Sequence, residues 1–238
     1  MRGFTDIHHH ILCGMDDGAR SPGEMHAMLR RAADDGIARI VATPHVTPGV
    51  KYFDRERYDR ALEEARAYCR AEQIPIALYP GAEILYTDQT CRLLAEGRVP
   101  TLAGTEYVLV EFSPDVRYDR LSDALTRILR AGFLPVIAHA ERCRCLTRHL
   151  SRLAKLRREL DVCCQVNCAS IIRPGDFFTR RFIGKLLEWE LVDVIATDAH
   201  HADGPRTVNM REAWLKIEQK YGASRADGLA DGHLLFEN

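Results

Sequence analysis

Several familiar signatures are missing from this chain, and each absence removes a class of function. No apolar run approaches the about 18 residues that cross a bilayer, so membrane insertion is not expected. The eight cysteines include no Cys-x-x-Cys pair, which argues against a zinc ribbon or a thioredoxin-type site. No Gly-x-Gly-x-x-Gly follows the first strand-like segment, as an open dinucleotide-binding sheet would require. There is no low-complexity segment, no Ser/Gly linker and no composition break, so a single domain spanning 1–238 is expected. The formal net charge of −1 supplies no field to draw in nucleic acid or an anionic membrane. The first residues enter a strand-like run with no signal-peptide pattern, so the expected location is the cytoplasm and the expected thiol state is reduced. Nothing in the sequence specifies an oligomeric state.

What recurs is a short apolar run followed by an amphipathic stretch. The runs are FTDIHH (4–9), IARIVAT (37–43), IALYPGAE (76–83), YVLVEF (107–112), LPVIAH (134–139), DVCCQVN (161–167) and VDVIAT (192–197). Several are apolar at nearly every position, as strands covered on both faces must be. Between them, Ser21-Pro22-Gly23-Glu24 reads as a capped helix start closed at Gly36, and helical spacing recurs at 55–73, 117–132, 148–160, 176–190 and 206–221. Seven strands alternating with helices predict an α/β fold, a distorted TIM-like (β/α)7 barrel.

In such a fold chemistry gathers at the carboxyl ends of the strands. There the sequence places His8, His9 and His10 with Asp16 and Asp17 just beyond, then His45, Glu83, Glu111, His139 with Glu141 and Arg142, and finally Asp198, His200 and His201. One histidine at a strand end is usually a hydrogen-bonded structural residue, and one carboxylate a cap or half an ion pair. Four carboxylates on one rim without cations would repel one another and raise each other's pKa. Divalent ions remove that cost. Alternation along a strand puts His8 and His10 on one face, with His9 turned away as a structural or solvent-facing residue. Asp6 is expected on the His8 face, placed to orient an imidazole or to make a plain buried hydrogen bond. Asp16 and Asp17 compete for one ligand role.

The expected ligand set is therefore His8, His10, Asp17, His45, Glu83, Glu111, His139, Asp198 and His200. That is too many donors for one zinc and enough for three ions sharing carboxylates. With no thiolate among them, manganese, iron or zinc would fit, the harder ions best. Three divalent ions outweigh four carboxylates, so the site should attract an anion and acidify a bound water to hydroxide. Arg142 can reach the same mouth, Arg206 follows the last ligand loop, and arginine forks match phosphate oxygens. Together these point to phosphoester hydrolysis.

DIHHHILCGMDDGA, ATPH, PGAE, YVLVEFS, PVIAHAERC, QVNCAS and IATDAHHADG resemble, in order, the motifs of the polymerase-and-histidinol-phosphatase (PHP) superfamily. More narrowly they resemble its bacterial tyrosine-phosphatase branch, encoded with capsule and exopolysaccharide genes. The resemblance covers about residues 4–210. It implies a distorted seven-stranded barrel, a trinuclear manganese-activated centre on the nine positions above, and a phosphate-gripping Arg142 with Arg206 as its nearest second. It implies, too, hydrolysis of phosphotyrosine on the tail of a bacterial tyrosine kinase that controls polysaccharide export. Members often continue past an LF-x-(D/E)-N segment, where this sequence ends in LLFEN (234–238).

Other metal-dependent barrels fit less well. Urease-type amidohydrolases bridge two metals with a lysine on the fourth strand, but the lysines here are 51, 155, 185, 216 and 220 and that strand ends in Glu111. A TatD-type deoxyribonuclease shares the first His-x-His, yet Asp17, His45 and Glu83 exceed its pattern. A cysteine-based tyrosine phosphatase needs Cys-x5-Arg, and no cysteine here has an arginine six positions on. Histidinol-phosphate phosphatase, within the same superfamily, is the main alternative. The segment VTPGVKYFDRERY (46–58) offers a rim for a peptide, with Lys51, Tyr52 and Arg55.

Overall fold

The computed structural model describes residues 3–236; Glu237 and Asn238 of the LLFEN segment lie outside it. The chain is an α/β domain built on a curled parallel sheet. Its strands are β1 (Phe4–His9), β2 (Ile37–Ala42), β3 (His45–Val46), β4 (Ala77–Pro80), β5 (Glu83–Leu85), β6 (Tyr107–Glu111), β7 (Leu134–Ile137), β8 (Cys163–Asn167) and β9 (Val194–Ala196). They pair as two ladders, β1-β2-β4 and β3-β5-β6-β7-β8-β9. Past β9 the chain meets β1 again through Asp198 N–H to His8 O and His10 N–H to Ala199 O, both 2.9 Å.

Two of the seven expected strands are each split, giving nine short ones. Pro44, which has no N–H, separates β2 from β3, and Gly81-Ala82 separates β4 from β5. The buried Tyr58 hydroxyl serves the second break, accepting from Gly81 N–H at 2.8 Å and donating to Gly81 O at 3.1 Å. A side chain at Gly81 would sit 2.5 Å from Val41 Cγ1, so the approach needs glycine. Each break re-aims the chain just before a polar residue, His45 or Glu83, that faces the mouth.

Six helices cover the expected stretches, at Pro22–Asp34, Arg55–Ala71, Tyr118–Arg130, Ser151–Glu159, Phe177–Glu188 and Met210–Tyr221. Ser21 caps the first, its Oγ accepting from Glu24 N–H at 3.2 Å. The main core lies between helices and sheet, while a smaller one with Ile7, Val41, Leu109, Val136 and Val194 fills the inside of the curl beneath the mouth. Among the described residues no helix is long and apolar enough to cross a membrane. All eight cysteines are free, and burial pushes the thiols of Cys143 and Cys163 up to about 12, far from nucleophilic thiolates.

Candidate metal centre

The opening strand carries an irregularity that alternation alone does not reveal. Asp6 pairs with Ile40 and His9 with Ala42, so β1 spends one more residue than β2 over this stretch. Such a bulge shifts the side-chain alternation by one. Asp6 and His9 therefore share the face toward the helices, where Ile40 and Ala42 join the main core. His8 and His10 face the mouth together, as expected.

This corrects the expectation for Asp6. Its carboxylate accepts from His8 N–H at 3.3 Å, from Thr197 N–H at 3.1 Å and from the Thr197 hydroxyl, and so ties β1 to the segment carrying Asp198. Burial lifts its pKa to about 6 against those bonds. His9 is not solvent-facing: it is fully buried with neither ring nitrogen bonded, and burial lowers its pKa to about 3, leaving it neutral.

All nine expected ligand residues come together at the mouth. Four groups place their donor atoms within 4.8 Å of one another: His10, Asp17, His45 and His200; His8, His10 and Asp198; His8, Glu83 and His139; and His45, Glu83 and Glu111. Glu83 stands at the centre, with Oε2 3.2 Å from His8 Nε2, 3.3 Å from His10 Nε2 and 2.8 Å from His45 Nδ1, and Oε1 2.8 Å from His139 Nε2. Asp198 Oδ1 lies 3.5 Å from the Nε2 atoms of both His8 and His10. Arg142, on the turn after β7, donates to Asp198 Oδ2 at 2.7 Å. Arg206 donates to Asp17 Oδ2 at 3.0 Å and touches His200 Nε2, so both expected arginines border the cluster.

The atoms converge without bonding one another well, which suits cations. Glu83 Oε2, Asp198 Oδ1 and His139 Nδ1 are buried with no aligned hydrogen-bond partner, although Oε2 is close to three imidazoles. His8 and His10 point their Nε2 atoms at each other across 3.2 Å. Their opposite nitrogens explain why. His10 Nδ1 meets the Asp16 carboxylate at 2.7 Å and His8 Nδ1 meets Gln165 Oε1 at 3.2 Å, while His200 Nδ1 meets Asp198 O at 2.9 Å. Each partner is an acceptor, so each Nδ1 is set to donate, which leaves each Nε2 the nitrogen that would offer a lone pair to a cation in place of a proton.

In the metal-free chain this crowd perturbs its own titration. Burial alone would raise Glu83 and Asp198, but the charges of His8 and His10 outweigh it and hold both carboxyls well below the ordinary range. Conversely, burial would depress His8 and His10, but Glu83 and Asp198 keep His8, and Asp16 with Asp198 and Glu83 keeps His10, above the ordinary imidazole value. His200 is lowered to about 4 by burial and the nearby His10 charge. Glu111 is raised by burial and by the charge of Glu83. Backbone strain accompanies the crowding, since His139 and Asp198 have φ of 29° and 52°, left-handed values that non-glycine residues adopt only when their surroundings hold them.

The geometry divides the two aspartates of the first loop. Asp17 joins a ligand group, whereas Asp16 supports His10 and accepts from Gly18 N–H at 2.9 Å and His45 N–H at 2.9 Å. Three residues support the cluster: Gln165, which the sequence did not single out, and Asn167 and Glu141, which it placed at strand ends without a role. Gln165 Oε1 also accepts from His139 N–H at 2.7 Å, Asn167 Nδ2 donates to Asp198 Oδ2 at 2.8 Å, and Glu141 Oε1 accepts from Asn167 N–H at 3.1 Å. The available signal was polar side chains at 165 and 167, two apart in a strand otherwise apolar. Asp16→Asn is expected to weaken metal affinity about 10- to 100-fold, because the amide can turn a donor toward His10 Nδ1 and free the tautomer. A competitive chelator titration reads that change.

With this geometry in view, comparison with known proteins is decisive. Residues 4–232 match the family described as capsular polysaccharide synthesis, CpsB/CapC. The chain belongs to the CpsB/CapC family. Tyrosine-protein phosphatase CpsB of Streptococcus pneumoniae is 33% identical over 233 residues, covering 95% of this chain and 94% of its own length. Tyrosine-protein phosphatase YwqE of Bacillus subtilis is 32% identical over 221 residues, with coverages of 92% and 86%. A crystal structure from work on YwqE of B. subtilis and CpsB of S. pneumoniae, described as unique metal-dependent tyrosine phosphatases, superposes with a TM-score of 0.86. It is 30% identical, over 94% of this chain and 90% of that one. The CpsB/CapC fold thus carries its candidate metal groups where the strands of the curled sheet end.

Proposed function

We propose that this chain is a metal-dependent protein-tyrosine phosphatase of capsular or exopolysaccharide synthesis, with the phosphotyrosine-bearing tail of a bacterial tyrosine kinase as substrate. The observation that carries this reading is the convergence of five imidazoles and four carboxylates with two arginines at the sheet's mouth. Three divalent ions, manganese first and iron or zinc next, are the proposed occupants, and Glu83 and Asp198 would be among the residues that hold them. When bound, such ions supply Lewis-acid charge to the phosphoryl oxygens and lower the pKa of water enough to make it a nucleophile at neutral pH.

The chain's own residues do the rest. Arg142 and Arg206 are the proposed phosphate grips, each held by a carboxylate that sets where its fork points. Their fixed positive charge meets the charge spread over the transferring phosphoryl group. Asp16, Gln165 and the Asp198 carbonyl hold three imidazoles in one tautomer, so donor atoms need no rearrangement between turnovers. The leaving phenolate, from a phenol of pKa about 10, needs less protonation than an alkoxide, and no general acid is assigned. The two ladders and the contacts returning β9 to β1 are proposed to act as one distorted seven-stranded barrel in a cytoplasmic protein.

The test is a rate comparison on metal-stripped protein reconstituted with Mn²⁺, offering a phosphotyrosine peptide and histidinol phosphate side by side. The peptide should be preferred, and Arg142→Ala should lower its kcat/KM on the order of a hundredfold while metal content stays unchanged. Preference for histidinol phosphate would replace this substrate with a small-molecule one on the same centre.

A further inference from the structure

After β3 the chain crosses the rim of the mouth as Thr47–Phe53, and there it exposes large apolar side chains to water. Val50 is 79% and Tyr52 78% exposed. Apolar side chains bared together beside a polar centre commonly mark a contact surface. The segment also divides two cavities. One, of about 480 Å³, runs from Asp17 and His45 past Met15 to Lys51, Tyr52 and Phe53. The other, of about 280 Å³, lies across the same segment and is walled by Leu93 and Val99 with Arg92 and Arg98. Val46, Lys51, Tyr52 and Phe53 line both.

The first cavity begins at two of the nine ligand residues, so a phosphate ester held at the centre can extend its organic part there. Its far wall is aromatic. Phe53 is braced from behind by Tyr58, with ring centroids 5.3 Å apart, while Tyr52 stands open to solvent and can close on a flat ring. A small aliphatic phosphate ester such as glycerol 2-phosphate has no ring to offer such a wall. In the second cavity Arg92 and Arg98 share one carboxylate, Glu96, at 2.8 and 3.7 Å, which leaves the pair net positive.

We infer that Thr47–Phe53 is the substrate-chain site: the tyrosine ring lies in the first cavity against Tyr52 and Phe53, and the peptide crosses the segment to put an acidic residue at Arg92 and Arg98. This rests on the phosphotyrosine reading above and adds to it the residues that select the chain around the phosphate. Tyr52 is a specificity residue here.

The test uses full-length Mn²⁺-loaded protein with three substrates: a phosphotyrosine peptide with acidic flanks, the same peptide with neutral flanks, and glycerol 2-phosphate. Tyr52→Ala should lower the ratio of kcat/KM for peptide over glycerol phosphate about tenfold, mainly through KM, and Tyr52→Phe should restore it. Changing Arg92 and Arg98 together to Ala should reduce the preference for acidic over neutral flanks about fivefold, an effect that high salt would mimic in the parent protein. Because Tyr52 is so exposed, its loss should leave the fold intact. If the parent protein turns over phosphotyrosine and Tyr52→Ala leaves the ratio unchanged, the site assignment is overturned alone. If the parent protein turns over neither peptide, the phosphotyrosine reading falls and the inference with it.

Discussion

Replacing Glu83 by glutamine is expected to cost on the order of a thousandfold in turnover and to lower the bound metal per chain. Among the described residues Glu83 is the one whose two oxygens approach four imidazoles, those of His8, His10, His45 and His139. It belongs to two of the four candidate groups, and its carboxylate is fully buried. Glutamine keeps the size and removes the charge, and one of its two ends becomes a donor that must face a lone pair. Two positions would therefore lose their shared anion in a single step. Elemental analysis of the purified variant beside steady-state rates at saturating Mn²⁺ separates two outcomes. Full metal content with low turnover would make Glu83 a charge-tuning residue rather than a ligand, and normal turnover would remove it from the centre altogether.

The candidate set could be read from the sequence because most of its members end an apolar run, with Asp17 and His200 following one closely, and strand ends are where parallel sheets present side chains. His8 and His10 were legible as a pair for the same reason. Asp6 was not, because the bulge between Asp6 and His9 leaves no mark in a sequence that is read by strict alternation. The splitting of two strands was half visible: Pro44 and Gly81 stand in the ATPH and PGAE stretches, but only the three-dimensional pairing shows that each interrupts a ladder. Gln165 was passed over and Asn167 noted only as a polar strand end, because neither is an imidazole or a carboxylate. Their work is to fix the rings and the carboxylate of the cluster, which depends on a register between β7, β8 and the β9 end that composition does not encode. The competition between Asp16 and Asp17 was open in the sequence for a related reason, since adjacent aspartates in a loop have no periodicity to separate them. It is the Asp16 bonds to His10, Gly18 and His45 that assign it a supporting place.

Stripping the metal should lower the thermal midpoint substantially, and the size of the drop should grow as pH rises from about 6 to 8. An ion held a thousandfold above its Kd adds about 4 kcal/mol to the folded state. For a chain of 238 residues each kcal/mol moves the midpoint about 2–4 °C, so one such ion accounts for roughly 8–16 °C. The pH dependence follows from the groups left behind. His8 and His10 in the metal-free chain have pKa values raised above 6.5 by the facing carboxylates, against the cost of burial. Their contribution is fully present below the unfolded value and is lost as pH rises through the folded one. Glu83 and Asp198 are depressed, so their contribution is present above their unfolded values and is lost only as pH falls well below them, outside this window. Between pH 6 and 8 the metal-free protein therefore loses stability as its histidines shed their protons. The loaded protein gains over the same range, because protons compete with metal for those nitrogens. Calorimetry of chelator-treated and Mn²⁺-reconstituted protein at several pH values measures the gap between the two midpoints. A gap that narrows toward pH 8 would mean that the imidazoles of His8 and His10 are not where the metal and the protons compete.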